Sequence, residues 1–144
     1  MTETIAHGID LVDCNRIERM IERHGERFTA KIFTEKERAY SGAYKDSAER
    51  LAGRFAAKEA ILKLIGTGLR GKLRFRDIEI ENNHLGRPIV NLTGHVKKQA
   101  EALGIKSVSI SITHTANLAM ASAVALIENG DGQTEQNRTV SCDE

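Results

Sequence analysis

The chain has 144 residues, a formal net charge of +1 at pH 7 and 40% hydrophobic residues. This size and composition predict a single globular domain, and the small net charge gives no global attraction to nucleic acid, so we expect no nucleic-acid partner. Its two cysteines lie at opposite ends of the sequence, without the C-x-x-C spacing of a zinc site.

Membrane insertion and secretion are both disfavoured by the sequence. No stretch approaches the roughly 18 consecutive apolar residues of a membrane span. The N-terminal sequence "MTETIAHGIDLV" lacks the basic region and apolar run of a signal peptide. We therefore expect a cytoplasmic protein, in a reducing compartment, with no membrane partner.

The N-terminal segment predicts a β-strand. Residues 4–12 alternate between two faces, which is the strand period. One face carries large apolar side chains. The other carries Asp10 on a surface that an alanine and a glycine leave open.

Three helices are expected after this strand. Asp13 can cap the first helix, which should end at Gly25. Thr34 opens the sequence "TEKE", whose spacing is that of a capping box. The third helix is long, from about residue 47 to residue 65, and Gly66 should end it.

The C-terminal half predicts two strands, "RDIEIE" and "RPIVNL", a helix over residues 94–103, and two further strands around a Thr-Ala-Asn turn. This order of elements predicts an α+β fold. We expect one compact domain over residues 1–128, with a largely antiparallel sheet packed by helices that include one long central helix. The polar tail, residues 129–144, is expected to be disordered.

Two cations lie unexpectedly close to the apolar stripe of the long helix. At about 100° per residue, Lys58 falls inside that stripe and Arg54 lies beside it. Such side chains can extend their charged ends to water or lie in an oligomer interface. They can also bind an anionic ligand, and the spacing alone leaves these alternatives open.

A second face of the same helix carries Glu59 and Lys63, four residues apart. The ordinary interpretation is a surface ion pair that stabilises the helix by about 0.2–0.5 kcal/mol. The alternative is a site that also includes Asp10, because two carboxylates with water and substrate phosphate suit Mg²⁺. The sequence does not decide whether these side chains meet.

The long helix runs into Gly66, Thr67 and Gly68. Glycines allow a ligand to approach the backbone closely, although a glycine after a helix is most often a simple C-cap. His114 follows an apolar strand in "SITHT". A structural and a ligand-binding role for this histidine remain equally open.

The predicted first helix carries Arg16, Arg19, Arg23 and Arg27 within an arc of about 80°. A solvated helix face is the usual explanation for such a stripe. The alternative is a docking surface for an acidic partner, because clustered cations focus positive potential.

Four motifs follow one another along the chain: "GIDLVDCNRI", "LAGRFAAKEAILKLIGTG", "DIEIENNHLGRPIV" and "VSISITHT". Together they closely resemble the bacterial holo-[acyl-carrier-protein] synthases, the small class of 4′-phosphopantetheinyl transferases, from about Ile5 to Ile127. The resemblance implies the fold of that family. It also implies transfer of phosphopantetheine from coenzyme A to a serine of apo acyl carrier protein in fatty acid biosynthesis, with release of 3′,5′-ADP.

The resemblance also implies roles for individual residues. Asp10 and Glu59 match the carboxylates that bind Mg²⁺ in the family, and one of them, Glu59 by preference, would accept the serine proton. Lys63 matches a catalytic lysine beside the coenzyme A phosphates. The segments that line the coenzyme pocket contain Arg54, Lys58, Lys63, Gly66, Thr67, Gly68 and His114.

Two properties of the assembly follow from the same resemblance. The family is a homotrimer in which neighbouring subunits share each active site. Arg16, Arg19 and Arg23 would dock the acidic recognition helix of the carrier protein.

The same residues could also serve two other functional classes. One is a nucleotide or phosphate-binding module without catalysis, which the two carboxylates and Lys63 disfavour. The other is an interaction scaffold that uses only the arginines, which would leave those carboxylates without a role.

Overall fold

The computed structural model describes residues 2–66 and 71–129. Its strands are β1 (Thr2–Asp13), β2 (Ile78–Asn82), β3 (Pro88–Leu92), β4 (Ile105–Thr115) and β5 (Leu118–Asn129). Its helices are α1 (Cys14–His24), α2 (Glu26–Ile32), α3 (Glu35–Gly42), α4 (Ser47–Ile65) and α5 (Gly94–Ala102), with a 3₁₀ turn at Phe75–Asp77. Thr67, Gly68 and the predicted tail from residue 130 onward lie outside the described residues.

Local sequence signals place the helix ends where they were predicted. The backbone N–H of Asn15 donates to the side chain of Asp13 at 2.9 Å, and Thr34 forms the predicted capping box with Glu37. The long helix α4 ends at Gly66, whose φ of 87° is left-handed and therefore favours glycine. No helix among the described residues is long and apolar enough to cross a membrane.

The prediction of one helix between β1 and α3 that carries all four arginines was wrong. Gly25, with φ of 54°, separates α1 from the seven-residue helix α2. Arg27 consequently lies on α2, and the arginines that share α1 are Arg16, Arg19 and Arg23.

The strands form two antiparallel sheets. One has three strands in the order β1-β5-β4, and the other is the β2-β3 hairpin. In the larger sheet Gly8 pairs with Ala123, and Asp10 pairs with Ala121. The predicted α+β fold with antiparallel strands and a long central helix is thus confirmed, although the strands divide into two sheets.

Small side chains allow α4 to lie directly on the inner face of the three-stranded sheet. The inner face of β5 carries four buried alanines, Ala119, Ala121, Ala123 and Ala125, followed by the buried Ile127 near its end. At Gly8 the approach is closest, because a Cβ there would lie 2.0 Å from the carbonyl oxygen of Ala60. Only glycine fits this position of β1, which brings the neighbouring Asp10 close to α4.

The opposite face of the same sheet exposes large apolar side chains. Ile5, Ile9 and Leu11, on the face of β1 that points away from α4, are 65%, 55% and 61% exposed. The adjacent strand β5 extends this surface, which we call the outer sheet face. Its large apolar members are Ile5, Ile9, Leu11, Leu118, Met120, Val124 and Leu126.

Candidate active site

Asp10 and Lys63 meet where β1 lies against α4. The Nζ of Lys63 is 3.0 Å from Oδ1 of Asp10 and 3.1 Å from the carbonyl oxygen of Ile9. Both side chains remain partly exposed, at 15% for Asp10 and 34% for Lys63. Two predicted site residues that lie 53 positions apart in the sequence are therefore in direct contact, within reach of a ligand.

Glu59 lies on α4 one helical turn before Lys63 and is half-buried. Burial raises the pKa of its carboxyl group, and the nearby charge of Asp10 raises it further, while Lys63 and Arg16 lower it. The structure thus gathers the three predicted catalytic residues, with Arg16 beside them. A half-buried carboxylate next to a second carboxylate is a favourable environment for a cation.

The two carboxylates fit a magnesium ion. Among the described residues, no group of three or more His, Cys, Asp or Glu side chains could hold a metal alone. A cation held by Asp10 and Glu59 must therefore take its other oxygen ligands from water and a substrate. This is the usual arrangement for Mg²⁺ in phosphoryl-transfer sites.

Lys58 does not lie in this site. It is completely buried, with its Nζ 2.6 Å from Oε1 of Glu37 and 2.7 Å from the carbonyl oxygen of Ile78. Burial lowers the pKa of its ammonium group, and Glu37 opposes that change. The prediction that Lys58 belongs to the coenzyme pocket is therefore wrong. Lys58 falls on the apolar stripe of α4 because it lies in the core, where its charge is paired with Glu37.

Arg54 is also buried, yet it retains a free donor. Its Nη2 donates to Oδ1 of Asn82 at 2.7 Å, and its Cζ lies 4.6 Å from the ring centroid of Tyr40. Its Nε has no hydrogen-bond partner within the part of the chain that the structure describes. Arg54 thus links α4 to the end of β2, and its Nε is a buried donor whose hydrogen-bonding capacity the described residues do not use.

His114 lies at the exposed end of β4, on the side of the sheet that faces α4. Its Nε2 is 3.1 Å from the carbonyl oxygen of Glu49. A Cβ at Gly53 would come within 2.8 Å of the same nitrogen, so this glycine makes room for the imidazole. The ring is held at the N-terminal half of α4, the part of the helix that also carries Arg54.

The expected ordinary role of Gly66 is confirmed. Its backbone N–H donates to the carbonyl oxygen of Leu62 at 2.9 Å, which closes the last turn of α4. The rest of the predicted glycine turn, Thr67 and Gly68, falls outside the described residues.

The arginines of α1 form an exposed stripe beside the carboxylates. Arg16, Arg19 and Arg23 are exposed, while Ile17 on the same helix is buried at 1%. Because Arg16 lies close enough to lower the pKa of Glu59, a partner bound along this stripe would lie next to the candidate site.

A second cluster of cations and aromatic rings was not predicted. The guanidinium carbon of Arg50 lies 3.7 Å from the ring centroid of Tyr44, and its Nε lies 2.9 Å from Oδ1 of Asp46. Tyr40 stands between Arg50 and Arg54. The i,i+4 spacing of the two arginines was a signal for this cluster, since it places both on one side of α4.

Comparison with known proteins identifies the family. The model of the 4′-phosphopantetheinyl transferase superfamily matches residues 6–121. A holo-[acyl-carrier-protein] synthase of Solibacter usitatus is 45% identical over 120 residues, which cover 83% of this chain and 96% of that protein.

Solved structures agree with the sequence comparison. The holo-[acyl-carrier-protein] synthase of Neisseria meningitidis matches with a TM-score of 0.77 and 36% identity, over 83% of this chain and 96% of that one. The Helicobacter pylori enzyme, crystallised with coenzyme A, matches with a TM-score of 0.73 and 33% identity, over 83% and 98%. The chain belongs to the 4′-phosphopantetheinyl transferase superfamily.

Proposed function

We propose that the protein is a holo-[acyl-carrier-protein] synthase, which transfers 4′-phosphopantetheine from coenzyme A to a serine of apo acyl carrier protein in fatty acid biosynthesis. The observation that carries this proposal is the meeting of Asp10, Glu59 and Lys63 in a chain so similar to known synthases. Release of 3′,5′-ADP from coenzyme A in the presence of an apo carrier protein tests it.

In the proposed reaction, the serine hydroxyl oxygen attacks the β-phosphorus of coenzyme A. A new P–O bond forms, the bond to the 3′,5′-ADP leaving group breaks, and the serine proton passes to a base. We assign that base to Glu59, because it is a half-buried carboxylate beside Asp10 and Lys63, and a carboxylate positioned at the reacting group can accept its proton. Asp10, the competing candidate, already accepts a hydrogen bond from Lys63.

Asp10 and Glu59 would also hold the magnesium ion. Bound between these carboxylates and the pyrophosphate, Mg²⁺ would neutralise charge on the phosphoryl group and on the leaving group. Lys63 provides a cation at the same place, and we propose that it contacts the phosphates of coenzyme A. Such fixed charges carry much of the rate in phosphoryl transfer.

The remaining coenzyme contacts are proposed from the free donors of the site. Within residues 2–66 and 71–129 the buried Nε of Arg54 has no hydrogen-bond partner, and His114 has an exposed ring beside the same helix. We retain Gly66, Thr67 and Gly68 as proposed contacts because glycines permit close approach of a phosphate. A rise in melting temperature with coenzyme A and Mg²⁺ tests binding separately from catalysis.

We propose that the active protein is a cytoplasmic homotrimer in which neighbouring subunits share each active site. The outer sheet face supports this assembly, because contiguous exposed apolar surface usually marks a protein interface. The free thiol of Cys14 agrees with a reducing compartment.

Leu11→Arg should convert the trimer into monomers, because it places a charge on the apolar outer sheet face. Light scattering coupled to size-exclusion chromatography measures the mass. Leu85→Arg is the matched control, since Leu85 is 78% exposed against 61% for Leu11 but lies in the β2-β3 turn. A trimeric Leu11→Arg protein would exclude the outer sheet face as the interface.

The exposed stripe of Arg16, Arg19 and Arg23 is the proposed docking surface for the carrier protein. Association through such a stripe should weaken as salt concentration rises, because exposed charges are screened. The position of Arg16 next to Glu59 would bring the acceptor serine to the carboxylates.

Arg16→Glu should raise KM for the carrier protein by at least about tenfold, since like charges across an interface oppose association. KM for coenzyme A should change much less. Steady-state kinetics with each substrate varied in turn measure both values. Lys97→Glu, an equal charge change at an exposed position of α5, is the control, and an unchanged carrier KM in Arg16→Glu would contradict the docking stripe.

A further inference from the structure

The buried ammonium of Lys58 joins four segments of the chain to α4. Its three N–H groups are shared among four acceptors: Oε1 of Glu37 at 2.6 Å and the carbonyl oxygens of Ile78, Ile32 and Phe75 at 2.7, 2.8 and 3.1 Å. These acceptors belong to α3, β2, the end of α2 and the 3₁₀ turn. Lys58 therefore fixes α4 relative to these four segments.

Glu37 extends this junction to further backbone groups. Its Oε1 also accepts from the backbone N–H of Thr34 at 2.8 Å, and its Oε2 accepts from that of Ile80 at 3.1 Å. Glu37 is 1% exposed, and its contacts with Lys58 and Ile80 are buried. The carboxylate is at once the cap of α3, an anchor for β2 and the counterion of Lys58.

On its other side, α4 is held against β1. The space between Gly8 and the carbonyl oxygen of Ala60 is too small for a Cβ atom. Glu59 lies in the sequence between Lys58 and Ala60, so the two residues that flank it are fixed from opposite sides. A small slide or rotation of α4 would move Glu59 relative to Asp10.

Stability alone does not explain a charged pair at this place. Replacement of buried ion pairs by apolar residues is often neutral or stabilising. The directional contacts from the Lys58 ammonium to several carbonyl oxygens, in contrast, specify one position of α4. We propose that the Lys58–Glu37 ion pair is a positioning device that sets Glu59 against Asp10. The inference rests on the proposed function.

Glu37→Gln is the variant that tests this role. Glutamine keeps the size of the side chain and removes the charge opposite Lys58. Its single oxygen can accept from the amide of Thr34 or of Ile80, while its NH₂ group cannot accept from the other. The Mn²⁺ affinity of the protein and its kcat should each fall by about 10–100-fold, as when supporting partners of metal ligands are removed. KM for the carrier protein should stay within about twofold, because the arginine stripe on α1 does not contact this pair.

Affinity for Mn²⁺ is measured by electron paramagnetic resonance of the free ion, without turnover, at a temperature where circular dichroism shows each variant folded. Val96→Ala is the control for simple loss of stability, since Val96 is fully buried on α5 outside the Lys58 junction. It should melt at a lower temperature and keep wild-type Mn²⁺ affinity and kcat.

A folded Glu37→Gln protein with the Mn²⁺ affinity and kcat of Val96→Ala would overturn the inference. If Glu37→Gln does not fold, Glu37→Asp replaces it under the same criteria, because it keeps the charge and shortens the reach by one methylene. Wild-type protein that binds no Mn²⁺ and releases no 3′,5′-ADP would instead contradict the proposed function.

Discussion

Glu59→Gln should reduce phosphopantetheine transfer by about 10²–10⁴-fold, the usual contribution of a general base. The substitution keeps the shape of the side chain and removes the charge that we assign to proton acceptance and cation binding. Turnover of apo carrier protein, followed by release of 3′,5′-ADP, measures the loss. Glu101→Gln, the same change at an exposed position of α5, should remain fully active.

The same variant should not lose stability. Because folding raises the pKa of Glu59 above its ordinary value of 4.5, the folded protein binds this proton more tightly than the unfolded chain. The contribution of Glu59 therefore favours folding at low pH and is lost as the pH rises through the raised pKa. At neutral pH, Glu59→Gln should melt at an equal or higher temperature than wild type, and wild-type turnover by this variant would remove Glu59 from the mechanism.

Lys58→Met should destabilise the fold by about 3–5 kcal/mol, because it leaves the carboxylate of Glu37 buried without its counterion. For a domain of this size, such a loss lowers the melting temperature by about 10–15 °C. Thermal unfolding followed by circular dichroism measures the shift. The double variant Lys58→Met/Glu37→Gln should recover part of it, since neither remaining side chain is charged.

Lys36→Met is the matched control for this prediction. Lys36 also pairs with a glutamate, at 3.1 Å from Oε1 of Glu81, but its side chain is 73% exposed. Exposed ion pairs contribute about 0–1 kcal/mol, so the control should melt close to wild type. A Lys58→Met protein that melts like the control would show that the buried pair does not hold the fold together.

Helix and strand positions were accessible from the sequence because their signals are local. The glycine at position 66 and the apolar period before it placed α4 at its observed bounds. Caps at Asp13 and Thr34 did the same for α1 and α3. The end of α1 at Gly25 was also predicted, but the helix α2 that follows it was missed, since seven residues are too few to show a helical period.

Tertiary relations were less accessible. Alternation along β1 defined two faces but not which of them packs, and the face with large apolar residues turned out to be exposed. The place of Lys58 in the core depends on Glu37, 21 residues away, which the capping box had marked only as a helix cap. Neither relation follows from spacing within one element.

The candidate active site could be predicted from the sequence only in part. Spacing placed Glu59 and Lys63 on one face of α4 but left their relation to Asp10 open. The family resemblance supplied that relation, and the contact between Asp10 and Lys63 agrees with it. Which residues would complete a site shared between subunits depends on the assembly. No local sequence pattern encodes that assembly.

Intact-mass spectrometry of an apo acyl carrier protein, incubated with this protein, coenzyme A and Mg²⁺, tests the central claim most directly. The account predicts a gain equal to the mass of one phosphopantetheine group, lost when a chelator is added and absent with Glu59→Gln. A carrier protein that an established transferase can modify, yet that gains no mass here, would contradict the assignment of transferase activity to this site.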